Sequence, residues 1–358
     1  MSMQSGDPTQ AGMAAAESGS GHLRRLIALI AGDRPAAEIL ETLHVERALI
    51  AESGGRVSRA VFAMALNALL FQDLLTRVPT GAAYVADRRR LHQRIQFDHG
   101  ALRTVSFAQG PTGALPGGAA AFARILGPLG YRVAGVYPLP RLRMTGYGFA
   151  HGEYPATLPQ FFVSELHVER FSPEFQAAAA RIFGTSRDPI GRCAHAVLDA
   201  MSTAGHCGFE AAALGLHEIL GAFRRCHDTP RLTDYAALQS ESAEAAWIAT
   251  EGCVFNHATD RVADVDATAC EQRALGRPIK AEVEVSTAGS VRQTAFKADA
   301  VVRTFRTDDG GTATQLVPGS FYEFISRDLV VNPDGSQTLD LRFDSMNAQG
   351  IFKMTAAA

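Results

Sequence analysis

Two histidines stand in related settings: His99 follows Asp98, and His257 follows Asn256. Each opens a stretch that runs through a short helical pattern into strands and closes near a glutamate, Glu165 in FFVSEL and Glu323 in FYEFIS. The interval from His99 to Glu165 is 66 residues, and so is the interval from His257 to Glu323. A repeated interval is the mark of a duplicated module. If two such modules pack side by side, the first strand of each carries its His to the middle. The closing strand of one then brings a Glu. Two imidazoles and one carboxylate on one face of a metal leave the other positions open. That arrangement suits non-haem Fe(II), because a bidentate substrate and dioxygen can occupy the free positions together. A lone strand histidine is ordinarily a hydrogen-bonded core residue; the matched pair with a matched glutamate is what favours a metal. On the residues alone, Glu165 and Glu323 remain rivals.

Arg103 stands four residues after His99 in HGALR. On a strand that offset keeps both side chains on one face. A guanidinium beside the metal would take a substrate carboxylate through two parallel hydrogen bonds, which Lys cannot match. The remaining histidines are weaker candidates. His151 with Glu153 and His167 with Glu169 lack a third ligand at a convincing spacing, so solvated or loop roles are expected. His195, His206, His217 and His227 are irregularly spaced and read as structural or exposed. No GxSxG, P-loop or GxGxxG in a strand-helix context is present, which leaves serine hydrolases, kinases and dinucleotide enzymes without support.

Positioning these residues requires both helices and sheets. Residues 1–21 are small, polar and Gly/Ser-rich and read as a disordered leader. Residues 22–94 have helical spacing, including the apolar VSRAVFAMALNALLFQDLL, expected to be a buried core helix. A first β-module is expected over 95–171, with YRVAGVYPL and FFVSELHVERF as strands and AAFARILGPLG as a helix. A helical insert covers 172–249. A second β-module follows over 250–330, with KAEVEVS, QTAFKADAVVRTF and SFYEFISRD as its strands. Residues 331–358 form a C-terminal hairpin and tail, with NPDG as the turn. The fold class this predicts is α+β: two pseudo-symmetric βαβββ modules curving into a half-open barrel.

Across 358 residues, 47% are apolar and 20% charged, enough for a substantial core. The net charge of -3 is mixed along the chain, so neither nucleic acid nor an anionic membrane is an expected partner. No signal peptide is evident, and no stretch reaches about 18 apolar residues. Five cysteines (Cys193, Cys207, Cys226, Cys253, Cys270) form no CxxC and read as free thiols in a reducing cytoplasm. The oligomeric state is not encoded legibly.

At DHGALRT, FFVSEL, NHATDRVADVD and GSFYEFISR the sequence resembles the 2-oxoadipate dioxygenase/decarboxylase family, formerly DUF1338, over about residues 95–330. The resemblance implies a fold similar to the vicinal-oxygen-chelate enzymes with helical additions. It implies Fe(II) held by His99, His257 and Glu323, which decides between the two glutamates, with Arg103, His99 and His257 meeting the 2-oxo acid. The implied reaction converts 2-oxoadipate and dioxygen to D-2-hydroxyglutarate and carbon dioxide, a step of lysine breakdown that needs no separate 2-oxoglutarate. Two other functions compete. A glyoxalase-like lyase or isomerase would draw a ligand from both closing strands, adding Glu165. A non-catalytic module would only sequester a small molecule.

Overall fold

The computed structural model describes residues 21–345; residues 1–20 of the expected leader over 1–21, and the tail beyond 345, lie outside them. Its centre is an eight-stranded sheet assembled from two copies of one pattern. In the first, β2 (Phe97–Ser106) leads through helix α6 (Ala120–Leu126) to β3 (Tyr131–Leu139), β4 (Met144–His151) and β5 (Gln160–His167). In the second, β7 (His257–Arg261) leads through α12 (Val265–Ala274) to β8 (Glu284–Val285), β9 (Val291–Ala295) and β12 (Phe321–Arg327). The strand order is β3-β4-β5-β2-β7-β12-β9-β8, so each half runs outward from its own first strand. Each closing strand lies parallel to its first strand, and the halves meet where β2 and β7 pair antiparallel. This is the expected pair of βαβββ modules.

The sequence pattern accounts for the central strand. FDHGALRTVS begins with turn-forming residues, yet forms a ten-residue strand buried over its first nine positions. Gly100 makes this possible. A Cβ there would lie 2.2 Å from the ring of Phe255, so that ring occupies the space a side chain would need.

The helices close around the sheet. α4 (Arg59–Arg77) begins at an N-cap in which Ser58 Oγ accepts from Val61 N, at 3.2 Å. By length and composition α4 could cross a membrane, but 72% of its apolar window is buried inside the protein, as a core helix would be. The N-terminal region is stitched to the helical insert by β1 (Arg56–Ser58), which pairs antiparallel with β6 (His206–Gly208). A large apolar core unites Leu26, Phe62, Phe71, Leu102, Leu216 and Phe255, and a second joins Leu166, Phe175, Phe183, Trp247 and Phe305.

Three segments differ from expectation. MTGYGFAH, which lies outside the expected strands and carries Gly146 and Gly148, forms β4. QTAFKADAVVRTF is not one strand. It divides into β9 and β10 (Ala300–Arg306), and β10 pairs with β11 (Thr312–Pro318) in a separate hairpin. The insert is not wholly helical, since β6 interrupts it. At the end of the second module, β13 (Leu329–Val331) and β14 (Gln337–Leu339) pair around the NPDG turn, where Gly335 has φ 82°.

Gly100→Ala should therefore destabilise the protein by about 1–3 kcal/mol, the usual cost of overpacking a filled core. Urea unfolding of the variant beside wild type measures it.

Candidate metal centre

Strand register builds the site. His99 on β2 lies opposite Thr259 on β7, and Thr259 lies opposite Glu323 on β12. The three occupy one row across the middle of the sheet. His257 enters the same space from the next row, opposite Ala101. His99 Nε2 is 3.3 Å and His257 Nε2 is 3.2 Å from Glu323 Oε2. One donor atom from each of the three residues fits within 4.8 Å, and all three side chains are buried. Thr259 Oγ1 donates to Glu323 Oε2 and lies 3.1 Å from His99 Nε2.

The rings are aimed from behind. His99 Nδ1 donates to Asp98 Oδ1 at 2.8 Å, and His257 Nδ1 donates to the Asn256 side-chain carbonyl at 3.2 Å. Fixing both Nδ1–H groups leaves both Nε2 lone pairs converging on Glu323. Outer hydrogen bonds of this kind set ring orientation and tautomer in metal sites. The donor set therefore fits a metal ion: two imidazoles and one carboxylate, oriented and buried.

Electrostatics follow the packing. Burial acts to raise the Glu323 carboxyl, but the His257 and His99 imidazoles outweigh it and hold it well below the usual carboxylate range. Burial likewise opposes ionisation of Asp98, yet Arg327 and His99 hold it far below its ordinary value. Burial alone would lower His99, but its bond to Asp98 and the negative charge of the adjacent Glu323 carboxylate raise it; for His257 burial prevails and lowers it.

Arg103 is 1% exposed and lines the same cavity as His99, which the shared strand face predicts. Its guanidinium carbon sits 5.0 Å from the ring centre of Trp247 on α11 (Ala243–Glu251). Burial lowers its pKa to about 10, partly offset by Glu244, so it stays cationic at neutral pH. Phe162, Ser164, Gln293 and Phe343 are among the walls of the cavity. None of those four was foreseen. The alternation of FFVSEL could have placed Phe162 and Ser164 together on one face, but only the register shows that this face looks inward.

That register also corrects the duplication arithmetic. His99 pairs with Gln160 and His257 with Phe321, so the position matching Glu323 is Phe162, not Glu165. The equal intervals are coincidental. Glu165 points elsewhere, accepting from Ala119 N at 2.7 Å with His167 Nδ1 3.6 Å away. Nor is His151 solvated: it is fully buried, and its Nδ1 accepts from Glu153 N and Tyr154 N. His227 is structural, bonded to the Ala249 carbonyl at 2.9 Å.

A family model for 2-oxoadipate dioxygenase/decarboxylase matches residues 69–355. The chain belongs to this family. It is a family of enzymes, so a purely sequestering module is set aside. Among solved structures, a protein from Ralstonia eutropha JMP134 assigned by description to the glyoxalase superfamily is 47% identical, with a TM-score of 0.85, over 90% of this chain and 98% of that one. The hydroxyglutarate synthase of Oryza sativa, solved with 2-oxoadipate, is 22% identical with a TM-score of 0.62, covering 83% and 93%. The Pseudomonas putida hydroxyglutarate synthase, also solved with 2-oxoadipate, is 20% identical with a TM-score of 0.59, covering 85% and 74%. Both synthases share the fold. No curated protein sequence matches the chain.

With Glu323 and not Glu165 facing the two histidines, Glu323→Gln should lose most bound metal and Glu165→Gln almost none. Metal content of the purified variants decides it, and the reverse order would move the site to the other module.

Proposed function

We propose that the protein is an Fe(II)-dependent dioxygenase/decarboxylase that converts 2-oxoadipate and dioxygen to D-2-hydroxyglutarate and carbon dioxide. The observation that carries this reading is the convergence of His99, His257 and Glu323 in the cavity that Arg103 lines. Family membership and the two synthases solved with 2-oxoadipate support the choice of substrate. Atoms balance with no second reductant: both oxygen atoms of dioxygen remain in the products, and the substrate supplies the electrons. Bound Fe(II) would supply the open coordination positions at which a 2-oxo acid and dioxygen react.

The chain's own residues perform the rest. His99, His257 and Glu323 would hold the ion from one side. Arg103 would bind a substrate carboxylate in a site where burial strengthens the contact. Asp98 and Asn256 keep each Nε2 directed inward. Phe162 and Phe343 exclude water from one wall. Free cysteines at all five positions accord with a cytoplasmic, reducing setting, where we place the reaction in lysine breakdown.

The glyoxalase-like alternative has support in the 47%-identical relative. It calls for a ligand from each closing strand, and the matching position on β5 is Phe162, which cannot coordinate.

His99→Ala, His257→Ala and Glu323→Ala should each abolish turnover and greatly weaken Fe(II) binding while the fold persists. Bound iron, circular dichroism and oxygen uptake over a panel of 2-oxo acids test this. Full activity in any one variant would remove that residue from the site. Arg103→Ala should keep its iron but lose about 2–5 kcal/mol of substrate interaction. That corresponds to roughly 30- to several-thousand-fold in oxygen uptake with 2-oxoadipate. Arg103→Lys should recover part of it, because it keeps the charge but not the planar fork.

A further inference from the structure

Arg327, the last residue of β12, has a fully buried side chain and faces two ways at once. Toward the site, Nε donates to Asp98 Oδ2 at 3.0 Å and Nη2 donates to Asp98 Oδ1 at 2.8 Å. That same Oδ1 accepts from His99 Nδ1. Away from the site, Nη1 donates to the carbonyls of Asp340 and Arg342, each at 2.8 Å. The segment those carbonyls belong to then places Phe343, whose ring centre is 4.9 Å from that of His99 and 4.7 Å from that of Phe162. The guanidinium carbon of Arg327 is also 5.4 Å from the Phe343 ring centre.

We infer that Arg327 is a positioning residue that couples the seating of residues 340–344 to the aim of His99. The inference rests on the metal-centre reading above. The buried Asp98 carboxylate depends on its cationic partners: Arg261 Nε stands 3.4 Å away, and Arg327 makes the two-pronged contact. Two of the donors that hold that partner are spent on carbonyls of the segment. When the segment is seated, the guanidinium is locked from both sides and Asp98 is fixed against the imidazole. When it lifts, the guanidinium loses two acceptors and the Asp98–His99 bond loses its rigid backing. Linkage makes the effect reciprocal: metal on His99 must tighten the segment as much as the segment tightens metal binding. A lysine could neutralise Asp98 but could not also span the two carbonyls, because an ammonium lacks the planar fork.

The test is hydrogen–deuterium exchange of the full chain with and without Co(II), together with Co(II) titration read by its d–d absorption. In wild type, Co(II) should slow exchange across residues 340–345 by about 5-fold or more, the lower range of ordinary couplings. In Arg327→Lys the Co(II)-dependent slowing should vanish, and affinity should fall by about 10- to 100-fold, as for other outer-sphere partners. Tyr137→Phe gives a second route, since Tyr137 OH accepts from Phe343 N at 3.1 Å and lies outside the relay. It should speed exchange of the segment and weaken Co(II) binding in parallel, even if Arg327→Lys does not fold. Co(II)-dependent slowing that survives intact in a folded Arg327→Lys would overturn the coupling. So would a loosened segment in Tyr137→Phe with unchanged Co(II) affinity, or a wild-type segment indifferent to bound Co(II). Failure of wild type to bind Co(II) at all would instead overturn the metal-centre reading, and the coupling with it.

Discussion

The structure depends on the antiparallel pairing of β2 with β7. That ladder places His99 opposite Thr259, and the parallel ladder from β7 to β12 places Thr259 opposite Glu323. A slip of one residue in either would turn a donor to the far face, since strand side chains alternate with a period of two. The register is held by what lies behind it. Gly100 admits the Phe255 ring, and Ala258 of β7 packs into the same apolar core. The helices of the N-terminal region and of the insert surround this pairing and keep it dry.

Dryness has a cost that the charges must settle among themselves. Asp98, His99, Arg103, Glu323 and Arg327 are each no more than 8% exposed. Removing such groups from water costs several kcal/mol per ion unless each is met by a partner. Asp98 is met by Arg327 and His99, with Arg261 Nε 3.4 Å away. Glu323 is met by two imidazoles and a hydroxyl. Arg103 lies beneath the Trp247 ring, and Trp247 is itself fixed by donating from Nε1 to the Gly319 carbonyl at 2.9 Å. Arg303 clamps Glu251 at the end of the same helix with bonds of 2.6 and 2.7 Å. Residues far apart in sequence thus hold a single cationic side chain over the cavity.

The sequence disclosed the residues that converge on the cavity more readily than its walls. His99 and His257 were visible because they recur in similar surroundings, and Arg103 because a four-residue offset on a strand has one geometric meaning. Glu323 could not be separated from Glu165 by counting, since strand pairing and not interval determines which carboxylate faces inward. Phe343 carried no signal: its role follows from the path of the chain after β14 and from Gly148, where a Cβ would lie 3.1 Å from that ring. Strand β4 was hidden by the same glycines that make it useful.

The β10–β11 hairpin separates β9 from β12 in sequence without separating them in space. Its base is closed by Gly319 N donating to the Asp299 carbonyl at 2.8 Å and Asp299 N donating to the Ser320 carbonyl at 3.2 Å. The body of the hairpin is anchored, with Phe305 and Val317 in the second core and Arg303 on Glu251, but residues gained or lost at its tip would cost little entropy and leave the flanking ladder untouched. The distance along the chain from His257 to Glu323 can therefore change at that tip, while the distance in space is set by the β7–β12 ladder. Alignments that penalise gaps in this stretch would misplace the carboxylate, whereas alignments anchored on ladder partners would keep it.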